Sequence, residues 1–364
     1  MTTSSSTTSA NGAGSRLVGL LAGLSLVWVA AGCRGAEPAR EVELRGPTMG
    51  STWSVKLVPG SGALAAGERE SIDRQIRDLL TRIEGLMSTY DPASELSRFN
   101  QSRSVEPFPV APETFAVFAW AARLAAETDG AFDVTVLPIL RAWGFGPAAD
   151  DHAAPPDDAT LAALRANAGM DLVELDPHGA WIRKRTPEVE CDLSALAPGY
   201  AADRIAELLE ARDQAGFLVD VGGELVARGV NADGRPWRVA IEQPEEGTRQ
   251  IARVIPLDHR AIATSGSYRN YREVNGRRLA HVIDPRTGRA VDHRLVSVSV
   301  VAAECVRADA LATALLVLGP DAGPALAERL ELAALFLIRT DQGVEERRTA
   351  PFDGLVSTMD QGPR

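Results

Sequence analysis

Asp309 and Thr313 stand four residues apart in an apolar stretch that runs on to Gly319. In a helix that spacing puts a carboxylate and a hydroxyl on one face, one turn apart. Hard cations take such oxygen ligands, magnesium first among them. The same two residues have a plainer reading, in which Asp309 caps or opens the helix and Thr313 is only buried. Upstream, His281, Asp284, Pro285, Thr287 and Gly288 form a turn carrying several chemical groups. Asp133 lies in the otherwise apolar run Ala131 to Val136, where an unpaired carboxylate is costly and must find donors from backbone, ligand or cation. Asp192 ends an expected strand, Val189 to Leu193, just before the small-residue loop Ser194 to Gly199. A helix expected from about Tyr200 to Ala211 would turn free N–H groups toward a phosphate there, and Pro198 suits an early helical position.

These groups need a scaffold, and periodicity supplies one. Residues 41–45 and 52–58 alternate as strands on either side of Gly46-Pro47-Thr48-Met49-Gly50. Residues 68–87 carry a helical stripe, Ser94 caps a short turn closed by Asn100, and an alanine-rich helix covers 112–128. Trp143-Gly144-Phe145-Gly146-Pro147 reads as a ligand wall or a structural corner, with a surface insertion over 148–158 and a helix over 161–168. Strand pieces follow at 172–175 and 181–183, then at 217–221 and 224–230 around Gly222-Gly223, then at 237–242, 251–257 and 261–264. Residues 265–271 read as a polar loop and Gly276 as a turn. A strand at 295–301, the apolar helix, a second helix at 322–330 and a hairpin of 333–338 with 344–347 complete the chain. Strands with segregated helices make this an α+β fold of mixed and antiparallel sheets with flanking helices.

Composition narrows the function. With 45% hydrophobic and 24% charged residues over 364 positions, the chain is an ordinary globular protein. A net charge of −11 and a pI near 5.1 argue against a nucleic-acid partner. An anionic substrate would have to be met by local N–H groups, arginines or a cation. At the N-terminus, Leu17 to Ala31 is an apolar run of about fifteen residues, short of the roughly twenty that span a bilayer. It reads as a signal peptide over 1–32. Ala30-Ala31-Gly32-Cys33 resembles a lipobox, so Cys33 is the expected lipidation site and residues 33–40 a tether to the membrane. The expected location is exported, facing the periplasm or cell exterior. Cys191 and Cys305 lie in apolar surroundings and read as buried free thiols.

Taken together, the segments resemble the ApbE family of FAD:protein FMN transferases over residues 41–357, with 358–364 as a tail. The resemblance rests on Met49-Gly50-Ser51-Thr52, on Met87-Ser88-Thr89-Tyr90 followed by Ser94 to Asn100, and on Gly130 to Thr135. It continues through Trp143 to Gly146, Asp192-Leu193-Ser194, Asp220-Val221-Gly222-Gly223-Glu224, Ala263 to Gly266, His281 to Pro285 and Ala308 to Thr313. It implies Mg²⁺-dependent transfer of FMN from FAD to a threonine or serine hydroxyl of an acceptor protein, with release of AMP. On matching positions it implies FAD contacts at Met49, Tyr90, Ala131, Phe132, Asp133, Asp192, Pro198 and Ile283. Magnesium ligands would be Asp309, the Thr313 hydroxyl and the Ala195 carbonyl. His281 is the candidate general base, since a near-neutral imidazole suits proton removal; orienting the Asp284 turn or contacting the flavin is its other reading. One departure is Pro198, where many relatives carry lysine or glutamate; Arg269 is a candidate substitute. Family context points to subunits of Na⁺-translocating NADH:quinone oxidoreductase (Nqr) or Rnf complexes as acceptors. Competing readings are an FAD pyrophosphatase, with water in place of the hydroxyl, and a non-catalytic flavin-carrying lipoprotein.

Overall fold

The computed structural model describes residues 41–360 apart from 61–62, 148, 151–153, 245–249, 268–270 and 275–276. Cys33, the signal peptide and tether, Arg269 and the Gly276 turn therefore lie outside the described residues. Strands β1 (Val42–Thr48) and β2 (Ser51–Val58) pair from Val42 with Leu57 to Thr48 with Ser51. Met49 and Gly50 are left as a two-residue turn, both with positive φ, 48° and 68°. Such turns match the twist of the flanking strands. Helix α1 (Glu68–Met87) buries Ile72, Ile76, Leu80, Ile83 and Met87 on one stripe. In α2 (Glu95–Gln101) the Ser94 hydroxyl accepts the Ser97 N–H at 2.9 Å, the expected cap. After β3 (Phe108–Pro109) come α3 (Pro112–Glu127), α4 (Leu137–Ala142) and α5 (Asp158–Arg165), the last capped by Asp157. Strands β4 (Val173–Leu175) and β5 (Trp181–Lys184) join β3 in a small sheet.

The second half supplies α6 (Ala197–Glu210), β6 (Gly216–Val221), β7 (Glu224–Arg228), β8 (Trp237–Glu242), β9 (Ile251–Leu257) and β10 (Ala261–Gly266). Short hairpins follow, β11 (Tyr271–Val274) with β12 (Arg277–Ala280) and β13 (Ile283–Asp284) with β14 (Arg289–Ala290). The chain ends with β15 (Leu295–Ala302), α7 (Cys305–Arg329), β16 (Ala333–Thr340), β17 (Gly343–Arg348) and α8 (Ala350–Asp360).

Eight strands form one antiparallel sheet in the order β1-β2-β6-β7-β10-β15-β16-β17. Alternation along each strand divides the core in two. Trp53, Val55, Leu57, Val298, Val300 and Phe336 face a core shared with α1, α3, α6 and α7. Val58, Ile262, Val301, Leu335 and Leu337 face the β8–β9 hairpin and α8, whose Phe352 is fully buried. Strand β15 is covered on both sides, which explains why Ser297 and Ser299 are buried; Ser299 satisfies its hydroxyl on Thr264 across the ladder at 2.7 Å. Helix α7 is apolar and long enough for a bilayer, yet packs into this core. Its backbone breaks at Gly319 (φ 80°, ψ −171°). A Cβ there would lie 2.9 Å from the His293 ring.

The structure corrects several expectations. Residues 189–193 join no ladder. The buried Asn100 carboxamide takes the place of a neighbouring strand, donating to the Cys191 carbonyl and accepting its N–H, both at 2.8 Å. Residues 265 and 266 continue β10 rather than opening a loop, because they pair with Val298 and Ser297. Helix α5 starts at Asp158, ahead of the expected 161. Helix α8 runs through 350–360, into the stretch expected to be a tail. Cys191 and Cys305 are free and buried, as expected.

Candidate active site

Two hairpin tips and the end of β10 meet at one end of the large sheet. Trp53 pairs with Val221, which sets the Met49–Gly50 tip beside the Gly222–Gly223 tip of β6–β7. Beyond them opens a cavity of about 1160 Å³. This is above the roughly 300–1,000 Å³ typical of small-molecule pockets. Met49, Tyr90, Ala131, Phe132, Asp133, Asp192, Ala195, Pro198, His281, Ile283, Asp309 and Thr313 all line it. The fold thus brings together side chains separated by up to 264 positions in the chain.

Each is held by its own local structure. Met49 adopts a left-handed conformation that costs a non-glycine residue free energy. Glu84 of α1 stabilises that turn, accepting the Met49 N–H and, at 2.9 Å, the Thr48 hydroxyl on the same oxygen. Tyr90 is 71% exposed. Its loop is tied down by Ser88, whose hydroxyl accepts the Tyr90 N–H at 3.1 Å and whose carbonyl accepts the Ser94 and Ser97 hydroxyls. Asp133 finds its donors in the protein, namely the Thr135 N–H at 2.8 Å and hydroxyl at 2.6 Å, and the Met170 N–H at 2.8 Å. Burial still raises its pKa. Asp192 accepts the Ser194 N–H at 2.8 Å, and its charge, after burial, helps raise the Tyr90 phenol. Trp143 is a structural corner, donating to the Gly288 carbonyl at 2.7 Å, whereas Phe145 lines the cavity and meets the His281 ring edge-on at 6.4 Å.

Asp309 does not cap its own helix. Helix α7 begins at Cys305, so Asp309 lies one turn in, 6% exposed, and accepts the Gly199 N–H of α6 at 3.2 Å. Gly199 is required there, because a Cβ would lie 2.7 Å from the Cys305 carbonyl oxygen and 2.9 Å from the Asp309 Cβ. Burial pushes the Asp309 carboxyl up to about 7, with the charge of Asp203 adding to it. One turn on, the Thr313 hydroxyl pairs with Ser265 of β10 at 2.9 Å. Pro198 falls in the first turn of α6 as expected and brings no charge to the site.

Several functional groups escaped the sequence reading. Glu224, at the start of β7, is raised well above the usual carboxylate range by burial and by the charge of Asp309. Asp220, raised by burial, accepts the Gly223 N–H at 2.9 Å and closes the same turn. Both stand in the Asp220 to Glu224 motif, whose acids could have been singled out. Arg272 on β11 also lines the cavity, and no spacing signals it. In all, six carboxylates (Asp133, Asp192, Asp220, Glu224, Glu242 and Asp309) and one guanidinium are among the described lining residues. A lining this acidic suits a cation far better than a bare anion. No group of three or more His, Cys, Asp or Glu side chains able to hold a metal occurs among the described residues. A cation here would therefore draw on hydroxyl and carbonyl oxygens as well as Asp309, the chemistry that Thr313 and Ala195 offer. Both cysteines are poor nucleophiles, since burial pushes their thiols up.

The model of the ApbE family matches residues 49–336. A FAD:protein FMN transferase of Vibrio cholerae is 41% identical over 337 residues, 93% of this chain and 98% of that protein. The solved flavin transferase ApbE from Vibrio cholerae superposes with a TM-score of 0.79 at 40% identity, over 87% of this chain and 100% of that one. The apo flavinyl transferase ApbE of Pseudomonas stutzeri gives 0.79 at 37% identity, over 87% and 96%.

Proposed function

This chain belongs to the ApbE family and is a FAD:protein FMN transferase, and we propose that it uses Mg²⁺ to move FMN from FAD onto a serine or threonine hydroxyl of an acceptor protein, releasing AMP. The observation that carries the reading is one cavity lined both by apolar and aromatic residues, among them Met49, Tyr90, Phe132 and Ile283, and by Asp309 and Thr313.

Met49, Tyr90, Ala131, Phe132 and Ile283 take the rings of FAD, with Asp133, Asp192 and Pro198 along the same wall. His281 accepts the proton of the acceptor hydroxyl as its oxygen bonds to the phosphorus of the FMN half. The bond from that phosphorus to the bridging oxygen breaks, and AMP leaves. When bound to Asp309, the Thr313 hydroxyl and the Ala195 carbonyl, Mg²⁺ supplies the positive charge that the pyrophosphate needs in so acidic a cavity. The chain's own part is to desolvate and aim the reacting groups.

The ApbE-like domain spans 41–357. Ahead of it we place a signal peptide over 1–32 and a lipid on Cys33, with the enzyme facing the periplasm or cell exterior. Support comes from the apolar run Leu17 to Ala31 and the small residues before Cys33. Exported flavoproteins, including Nqr- and Rnf-type subunits, are the acceptors this location would serve.

The test mixes the protein with FAD, Mg²⁺ and an acceptor domain bearing a Ser/Thr target. A fluorescent acceptor band that survives a denaturing gel is expected. Free FMN and AMP without a labelled band would instead mark a pyrophosphatase, and unchanged FAD a carrier.

A further inference from the structure

Helices α6 and α7 exchange carboxylates. Asp203, one turn along α6 from Gly199, accepts the N–H groups of Cys305 at 2.8 Å and Val306 at 2.9 Å, the first two residues of α7. In return Asp309, one turn into α7, accepts the Gly199 N–H in the first turn of α6. Neither helix caps itself, for Leu196 and Glu304 make no side-chain cap bond. Free N–H groups and a partial positive charge gather at a helix N-terminus, so each end needs an acceptor. Here each receives it from the other helix. The exchange holds the two helices at the separation that only a glycine at 199 permits.

We propose that Asp203 is a positioning residue for cation binding: by clamping the start of α7 to α6 it sets where Asp309 stands in the cavity. Asp203 does not itself line the cavity, whereas Asp309 does. A cap carried by α7 would satisfy the same N–H groups without tying the helices together, and that difference separates positioning from ordinary helix stabilisation. The proposal rests on the reading of Asp309 as a Mg²⁺ ligand.

The experiment titrates magnesium chloride, with and without FAD, against wild type, Asp203→Asn, and Asp203→Asn combined with Glu304→Ser, following Tm. Glu304 is exposed and has the extended backbone of a cap position (φ −107°, ψ 139°), so serine there can cap α7 from within. Wild type should be stabilised by Mg²⁺. Asp203→Asn should lower the metal-free Tm and weaken Mg²⁺ binding by about 10- to 100-fold, as loss of an outer support of a metal ligand does. The double variant should regain the metal-free Tm but not the Mg²⁺ affinity. Mg²⁺ affinity within twofold of wild type in Asp203→Asn, or recovery of both quantities in the double variant, would overturn the proposal. A double variant that does not fold would count against it too, since the added cap is expected to restore the helix. Absence of any Mg²⁺ shift in wild type would instead overturn the cation reading itself, and the proposal with it.

Discussion

In metal-free protein, Asp309→Asn should remove a specific pH dependence of stability. The Asp309 carboxyl is pushed up from an ordinary 3.8 to about 7 by burial. Between those values the folded protein holds a proton that the unfolded chain has released, so stability from this group is complete below about pH 4 and is lost as pH rises toward 7. One proton costs about 1.4 kcal/mol per pH unit across that window, so wild type should lose roughly 2.5 kcal/mol between pH 5 and 8. For a chain of this size that is about 5 °C in Tm. Thermal melts in EDTA from pH 5 to 8 measure it, and subtracting the Asp309→Asn profile isolates what Asp309 contributes together with Glu224, whose carboxyl feels its charge. The variant should be flatter by about 5 °C across the range, and Mg²⁺ should rescue wild type increasingly as pH rises, since the ion displaces the proton. Parallel profiles for the two proteins would refute the argument that burial keeps Asp309 protonated in the folded, metal-free protein.

Gly199→Ala should cost about 1–3 kcal/mol by overpacking α6 against α7, read as a lower denaturant midpoint, and should raise the Mg²⁺ needed for half-maximal transfer. Tyr90→Ala should leave Tm nearly unchanged because the ring is exposed, while FAD affinity measured by fluorescence quenching falls about threefold to tenfold. Asn100→Ala should destabilise by roughly 2–5 kcal/mol in urea melts, because the Cys191 N–H and carbonyl lose their buried partners.

Much of this architecture was legible in the chain, and the exceptions have physical causes. Alternation in residues 52–58 and 333–338 and the stripe over 68–87 revealed the sheet and helices, because each element buries one defined side. Residues 189–193 read as a strand for the same reason, yet the backbone of Cys191 pairs with a side chain ninety-one positions away, which periodicity does not register. Strand β15 hid the division of the core, since Ser297 and Ser299 alternate with valines as on a half-exposed strand although both are buried. Asp309 and Thr313 were found as a pair by helical spacing, but that spacing serves a cap and a cation site alike; only the start of α7 at Cys305 rules the cap out. Glu84 and Asp203 were invisible because their worth lies in backbone groups far along the chain.

The hydrogen bond from Gly199 also bears on how Asp309 meets whatever enters the cavity. That N–H holds Oδ2 in place, and a carboxylate oxygen that accepts one hydrogen bond still has a lone pair for a second partner. The missing side chain at position 199 is what lets the backbone come so close, so a glycine on one helix aims the acid of another.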